Sequence, residues 1–134
     1  MNVKQIQLEI VDKLERGYGL YIEHDPSYYG HLNIGSIFSD FVNVELTHDV
    51  STDKVIIKSD ISGDDFVDVK EVNSALKEFE GEESPFDELM YSDEDGFTFL
   101  REIPMDEYEY SKLKECIDYL NESEFVLRLR RIVK

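Results

Sequence analysis

The sequence predicts an α+β fold: a single antiparallel sheet with helices packed on it, in the order α-β-β-β-α-β-β-α, within one domain spanning residues 1–134. Three observations lead there. Apolar residues recur at helical spacing in three separated stretches, period-two alternation marks the strands between them, and turn or capping residues stand where the period changes. A chain of 134 residues, 41% of them hydrophobic and with eight Phe and eight Tyr, builds one core without disulfides.

Residues 2–16 read as an amphipathic helix. Val3, Ile6, Ile10 and Leu14 share a face, and Leu8 and Val11 widen it. Asn2 can cap this helix, and Gly17 and Gly19 stop it. Leu20–His24 is a short strand. Residues 25–36 are punctuated by Pro26, Gly30 and Gly35 and read as a loop carrying Tyr28 and Tyr29. Residues 32–38 also read as a strand, and both readings stay open. Residues 41–49 alternate Val42, Val44 and Leu46 against Asn43, Glu45 and Thr47. Lys54–Ile61 answers them across a turn at 49–53.

Residues 68–80 form the next helix, with Asp68 and Glu71 as a capping box and Val72, Leu76 and Phe79 on its apolar face. Gly81 and Pro85 end it. Residues 86–91 and 97–103 are the arms of a hairpin turning at 92–96. Pro104 closes the second arm, and Asp106 with Glu109 reads as a second capping box for a helix lined by Tyr110, Leu113, Ile117 and Leu120. Residues 121–124 interrupt that helix. Residues 125–133 either continue it or form a strand, since their alternation fits both.

The charge is −17, and the last seven residues oppose it with Arg128, Arg130, Arg131 and Lys134 and no acid. Such a chain repels nucleic acid and anionic membranes and favours solubility or a basic partner. Glu78, Glu80, Glu82, Glu83, Asp87, Glu88, Asp93, Glu94 and Asp95 follow one another with no basic residue between them, and Asp106, Glu107 and Glu109 come soon after. These are the candidate electrostatic contacts with a partner. The basic end either neutralises carboxylates of a second subunit or caps its own helix dipole.

The motifs exclude more chemistry than they offer. The lone Cys116 forms no internal disulfide and reads as a packing residue within a helix, which fits a reducing, cytoplasmic setting. His24, His31 and His48 have no zinc spacing. In Asp93-Glu94-Asp95-Gly96 the glycine falls at the fourth position, whereas a calcium-binding EF-hand loop needs it at the sixth. There is no phosphate-binding loop or nucleophile elbow. The expectation is therefore no catalytic residue, no metal and no cofactor. A carboxylate pocket with strongly raised pKa values would revive an enzyme reading.

The element order, with Asp93-Glu94-Asp95-Gly96, Phe99-Leu100-Arg101, Ile103-Pro104 and the helix from Tyr110 to Leu120, resembles the class I type III secretion chaperone fold and its YbjN-like relatives. The resemblance implies a non-catalytic protein that holds a segment of a partner protein, with dimers formed through the second helix. Carried over, Val72, Leu76 and Phe79 would contact a second copy or a client, and Ile6, Ile10 and Val44 would lie near a client groove; Tyr28 and Tyr29, as loop tyrosines, are candidate contacts of the same kind on their own chemistry. The alternative is an acidic mimic of nucleic acid that blocks a DNA- or RNA-binding defence protein through its carboxylates. Either way the partner is a protein with a basic or apolar surface, without direct contact to nucleic acid or membrane.

Overall fold

The structure, a computed structural model, describes residues 5, 6, 8–10, 12, 13, 20–24, 31–36, 43–62 and 67–133. Residues 5, 6, 8–10, 12 and 13 are helical and are called α1. Strands β1 (Leu20–His24), β2 (His31–Ser36), β3 (Val44–Asp49) and β4 (Lys54–Ile61) precede helix α2 (Val69–Phe79). Strands β5 (Glu88–Ser92) and β6 (Gly96–Pro104) come next, then a 3-10 turn (Met105–Glu107) and helices α3 (Tyr110–Glu122) and α4 (Glu124–Ile132).

The α+β class and the single antiparallel sheet are as expected from the sequence. The sheet order is β1-β2-β3-β4-β6-β5, with every neighbouring pair antiparallel. The 25–38 ambiguity resolves toward a strand at His31–Ser36, which pairs β1 on one side and β3 on the other. Tyr28 and Tyr29, Gly17 and Gly19, and Val42 lie outside the described residues.

Alternation places the core. Val55, Ile57, Ser59 and Ile61 of β4 point to the buried side, opposite Leu46 and Val44 of β3 and Phe97, Phe99 and Ile103 of β6. Helical residues from α1, α2, α3 and α4 complete one continuous buried cluster. Phe99 sits at its aromatic centre, with the rings of Phe86, Phe79 and Tyr119 at 5.1, 5.9 and 5.9 Å. Such offset and edge contacts add about 0.5–1.5 kcal/mol each to the area they bury.

Ser59 and Arg101 enter this side of the sheet, and both are hydrogen-bonded. Ser59 Oγ donates to the Asn43 carbonyl at 3.0 Å. Arg101 lies opposite Ile57 and reaches α3, where its Nη1 donates to the Lys112 carbonyl and to Glu115 Oε2, both at 3.3 Å.

Helix boundaries follow local chemistry. Asp68 caps α2 by accepting the Lys70 amide at 2.9 Å. The capping box expected at Asp106 is not formed: residues 105–107 are a 3-10 turn, and α3 begins at Tyr110 behind Glu109, whose side chain makes no cap bond. Pro104 with extended backbone and the buried Met105 set that turn before the helix starts. The interruption expected at 121–124 falls at Ser123, which is extended and accepts the Val126 amide to start α4. Residues 125–132 are thus helical and not a strand.

Gly96 closes the β5–β6 hairpin at φ +73°, and a Cβ there would meet the Ile61 carbonyl oxygen at 2.2 Å. Only glycine suits that left-handed backbone and that close approach. This turn brings β6 back beside β4 and leaves β5 outside it as an edge strand.

Candidate protein-binding groove

The insertion of β6 between β4 and β5 has a direct consequence. Among the described residues β6 is the only strand neighbour of β5, which leaves one hydrogen-bonding side of β5 unused by the described sheet. Helix α2 lies against this strand. Its sheet-facing side carries Val72 and Ala75, each 5% exposed. Leu76 and Phe79 sit one step round the helix toward β5 and are partly buried.

Between α2 and β5 runs an open groove of about 490 Å³. Leu76, Phe79, Phe86, Leu89 and Met90 form its apolar part, and Glu80, Glu82, Asp87 and Glu88 its acidic rim. Met90 points to the uncovered face of the sheet and is 46% exposed, because its neighbours Leu89 and Tyr91 take the helix-facing positions. The rim is built into the fold. Asp87 Oδ2 accepts the Glu102 amide at 3.0 Å, its own amide donates to the Leu100 carbonyl at 2.8 Å, and Tyr119 Oη donates to Glu82 Oε1 at 3.5 Å. Burial raises the pKa of the Tyr119 phenol; hydrogen bonds with Ser84 and Ser123 oppose the shift, and the Glu82 charge adds to it.

The structure distributes the twelve candidate carboxylates over several places. Glu80, Glu82, Asp87 and Glu88 meet at the groove. Glu78 turns to the opposite flank of α2 and pairs with Arg128 of α4. Glu83 borders a shallow depression with Ser84, Pro85, Glu115 and Asp118. Asp93, Glu94 and Asp95 form the exposed tip of the hairpin. Asp106, Glu107 and Glu109 are exposed before α3.

The apolar candidates divide as well. Leu76 and Phe79 line the groove, while Val72 lies beneath in the core. Ile6, Ile10 and Val44 are at most 1% exposed, so in this chain their surfaces are spent on its own interior. Phe86, Leu89 and Met90 are groove residues that helical or strand patterning did not single out. No sequence signal marked Met90, because its position depends on β5 having one strand neighbour among the described residues.

Chemically the groove offers apolar surface, carboxylates and a free strand edge. Among the described residues no group of three or more His, Cys, Asp or Glu side chains is placed to hold a metal ion, and no helix is long and apolar enough to cross a membrane. Cys116 is fully buried, 3.7 Å from Arg101 Nη1. Burial pushes its thiol up to about 11, and the Arg101 guanidinium offsets only part of that.

A chain of the HopA1–SchA chaperone–effector complex shares this fold, with a TM-score of 0.61 over 98% of each chain at 13% sequence identity. At that identity the likeness is one of fold. No family model matches the chain, and no curated protein matches it in sequence.

Proposed function

We propose that this chain is a non-catalytic, acidic protein-binding module of the secretion-chaperone kind, which holds a segment of a partner protein in the α2–β5 groove. The observation that supports the proposal is the juxtaposition of a groove, which combines apolar residues with an acidic rim, and a strand edge that has no second neighbour among the described residues. An extended segment laid there gains main-chain hydrogen bonds from β5 and seats alternate side chains against Leu76, Phe79 and Leu89, while the side chains between them lie beside Met90 on the opposite face. The four rim carboxylates favour a segment with basic residues and speed its encounter. The fold likeness to a chain of a chaperone–effector complex supports the same reading. A homodimer through the α2 side would use the same Leu76 and Phe79, so a second copy and the partner segment would compete for these contacts.

The test begins with affinity capture of the partner from the native host and its identification by mass spectrometry. Binding of that partner is then titrated by calorimetry. Met90→Asp or Leu76→Ala is expected to weaken binding about tenfold, roughly 1.4 kcal/mol. The double reversal Glu80→Lys, Glu88→Lys is expected to change it by about threefold or less, because rim charges in water contribute little. The opposite ranking would support the nucleic-acid-mimicking alternative, in which the carboxylates themselves are the contact.

A further inference from the structure

Helix α2 is a ridge with a groove on each side. The second groove, of about 340 Å³, separates α2 from α4. Its floor is low at Ala75, Phe125 and Leu129 lie beneath it in the core, and the partly buried Ile132 leaves apolar surface accessible in it. Its two walls are oppositely charged: Glu71 and Glu78 stand on the α2 side, Arg128 and Arg131 on the α4 side. The ion pair between Glu78 and Arg128 crosses it.

We propose that this α2–α4 groove is a docking site for an amphipathic helix of a partner polypeptide, with basic residues along the flank that meets α2 and acidic residues along the flank that meets α4. The inference rests on the reading that the chain binds a partner polypeptide, and adds a second contact of a different kind.

Three features select this occupant. Both walls are helices whose backbone groups are bonded internally, so an extended chain would leave its own amides unpaired there, whereas a helix brings its hydrogen bonds with it. Second, Glu71 and Glu78 are seven residues apart, about 10.5 Å along the axis at 1.5 Å per residue. Basic residues two turns apart on a helix match that spacing. Third, the Glu78–Arg128 pair is about half exposed on both sides, so exchanging each partner for one on an incoming helix costs little. A second copy fits less well. An isologous contact would set one concave groove against another and leave both unfilled.

The probe is a fluorescein-labelled synthetic peptide of about four helical turns, with a leucine ridge, lysines along one flank and glutamates along the other. A second peptide carries lysines on both flanks. Binding is read by anisotropy at 0.15 M salt, and the contact is mapped by amide chemical shifts. The two-sign peptide is expected to bind and to shift amides of α2 and α4. Arg131→Glu, at an exposed position, is expected to weaken it about tenfold and to improve binding of the all-lysine peptide, whose α4-facing lysines then meet one glutamate and one arginine in place of two arginines. Glu71→Lys is expected to weaken the all-lysine peptide further. Met90→Asp, on the other side of α2, is expected to leave the two-sign peptide unchanged while it impairs the partner in the α2–β5 groove, so the two readings fail separately. The proposal is overturned if the two-sign peptide does not bind, if Arg131→Glu affects both peptides alike, or if the shifts fall on β5. It is also overturned if sedimentation shows that Arg131→Glu dissociates a dimer, which would make a second copy the occupant.

Discussion

Cys116 illustrates how one buried side chain ties packing to pH. It has no exposed surface, and burial holds its thiol at about 11 against an ordinary 9.0, despite the neighbouring Arg101. The folded chain therefore keeps this proton at pH values where the unfolded chain releases it. The associated stability is fully present below pH 9 and is lost as the pH rises toward 11, at up to about 1.4 kcal/mol per pH unit. Urea denaturation between pH 8 and 10 is expected to show this decline, and Cys116→Ala is expected to flatten it while lowering stability at pH 7 by about 1–2 kcal/mol through lost packing. An unchanged slope in the variant would mean that another group sets the decline. The residue-scale legibility of the sequence follows the same division. A packed cysteine among Leu113, Ile117 and Leu120 was readable from helical spacing, because that pattern states what faces inward. The groove residues Phe86, Leu89 and Met90 were not readable, because their role depends on β5 lying outside β6, and pairing order leaves no trace in period-two alternation.

The helix ends separate local signals from those that depend on the rest of the fold. Asp68 and Asp106 both precede an acid three residues on, and by sequence both look like capping boxes. Only Asp68 caps, because its backbone is extended and turns its carboxylate onto the Lys70 amide, whereas the chain at Asp106 is held in a 3-10 turn between Pro104 and the buried Tyr108. Asp68→Ala is therefore expected to cost about 1 kcal/mol, a fall of roughly 4 °C in Tm. Asp106→Ala and Glu109→Ala are expected to stay within about 0.5 kcal/mol. Thermal denaturation followed by circular dichroism checks all three, and an equal loss at Asp106 would reinstate the second box. Strand β2 was ambiguous for a related reason. Gly30 and Gly35 read as loop residues, yet His31–Ser36 is bracketed by β1 and β3, and pairing on both sides outweighs its weak intrinsic preference for a strand.

Across the whole molecule, the question is what a net charge of −17 contributes to binding. The candidate carboxylates are spread over the groove rim, the far flank of α2, the hairpin tip and the approach to α3, and Glu78 is engaged by Arg128. A mimic of nucleic acid needs many of its charges presented together to one basic surface, and their attraction falls steeply as salt screens it. A groove that binds through apolar contact and strand pairing uses the charge mainly to keep the chain soluble and to accelerate encounter. The two behave differently when salt is raised from 50 to 300 mM. Groove binding is expected to lose less than about tenfold in affinity for the captured partner, with most of that loss in the association rate. A mimic that engages six or more basic side chains is expected to lose on the order of ten-thousandfold over the same range. Stopped-flow association combined with equilibrium titration at four salt concentrations separates the cases. A steep loss carried by the dissociation rate would move the contact from the apolar groove to the carboxylates, and would replace partner-segment holding by electrostatic mimicry as the function of the acidic surface.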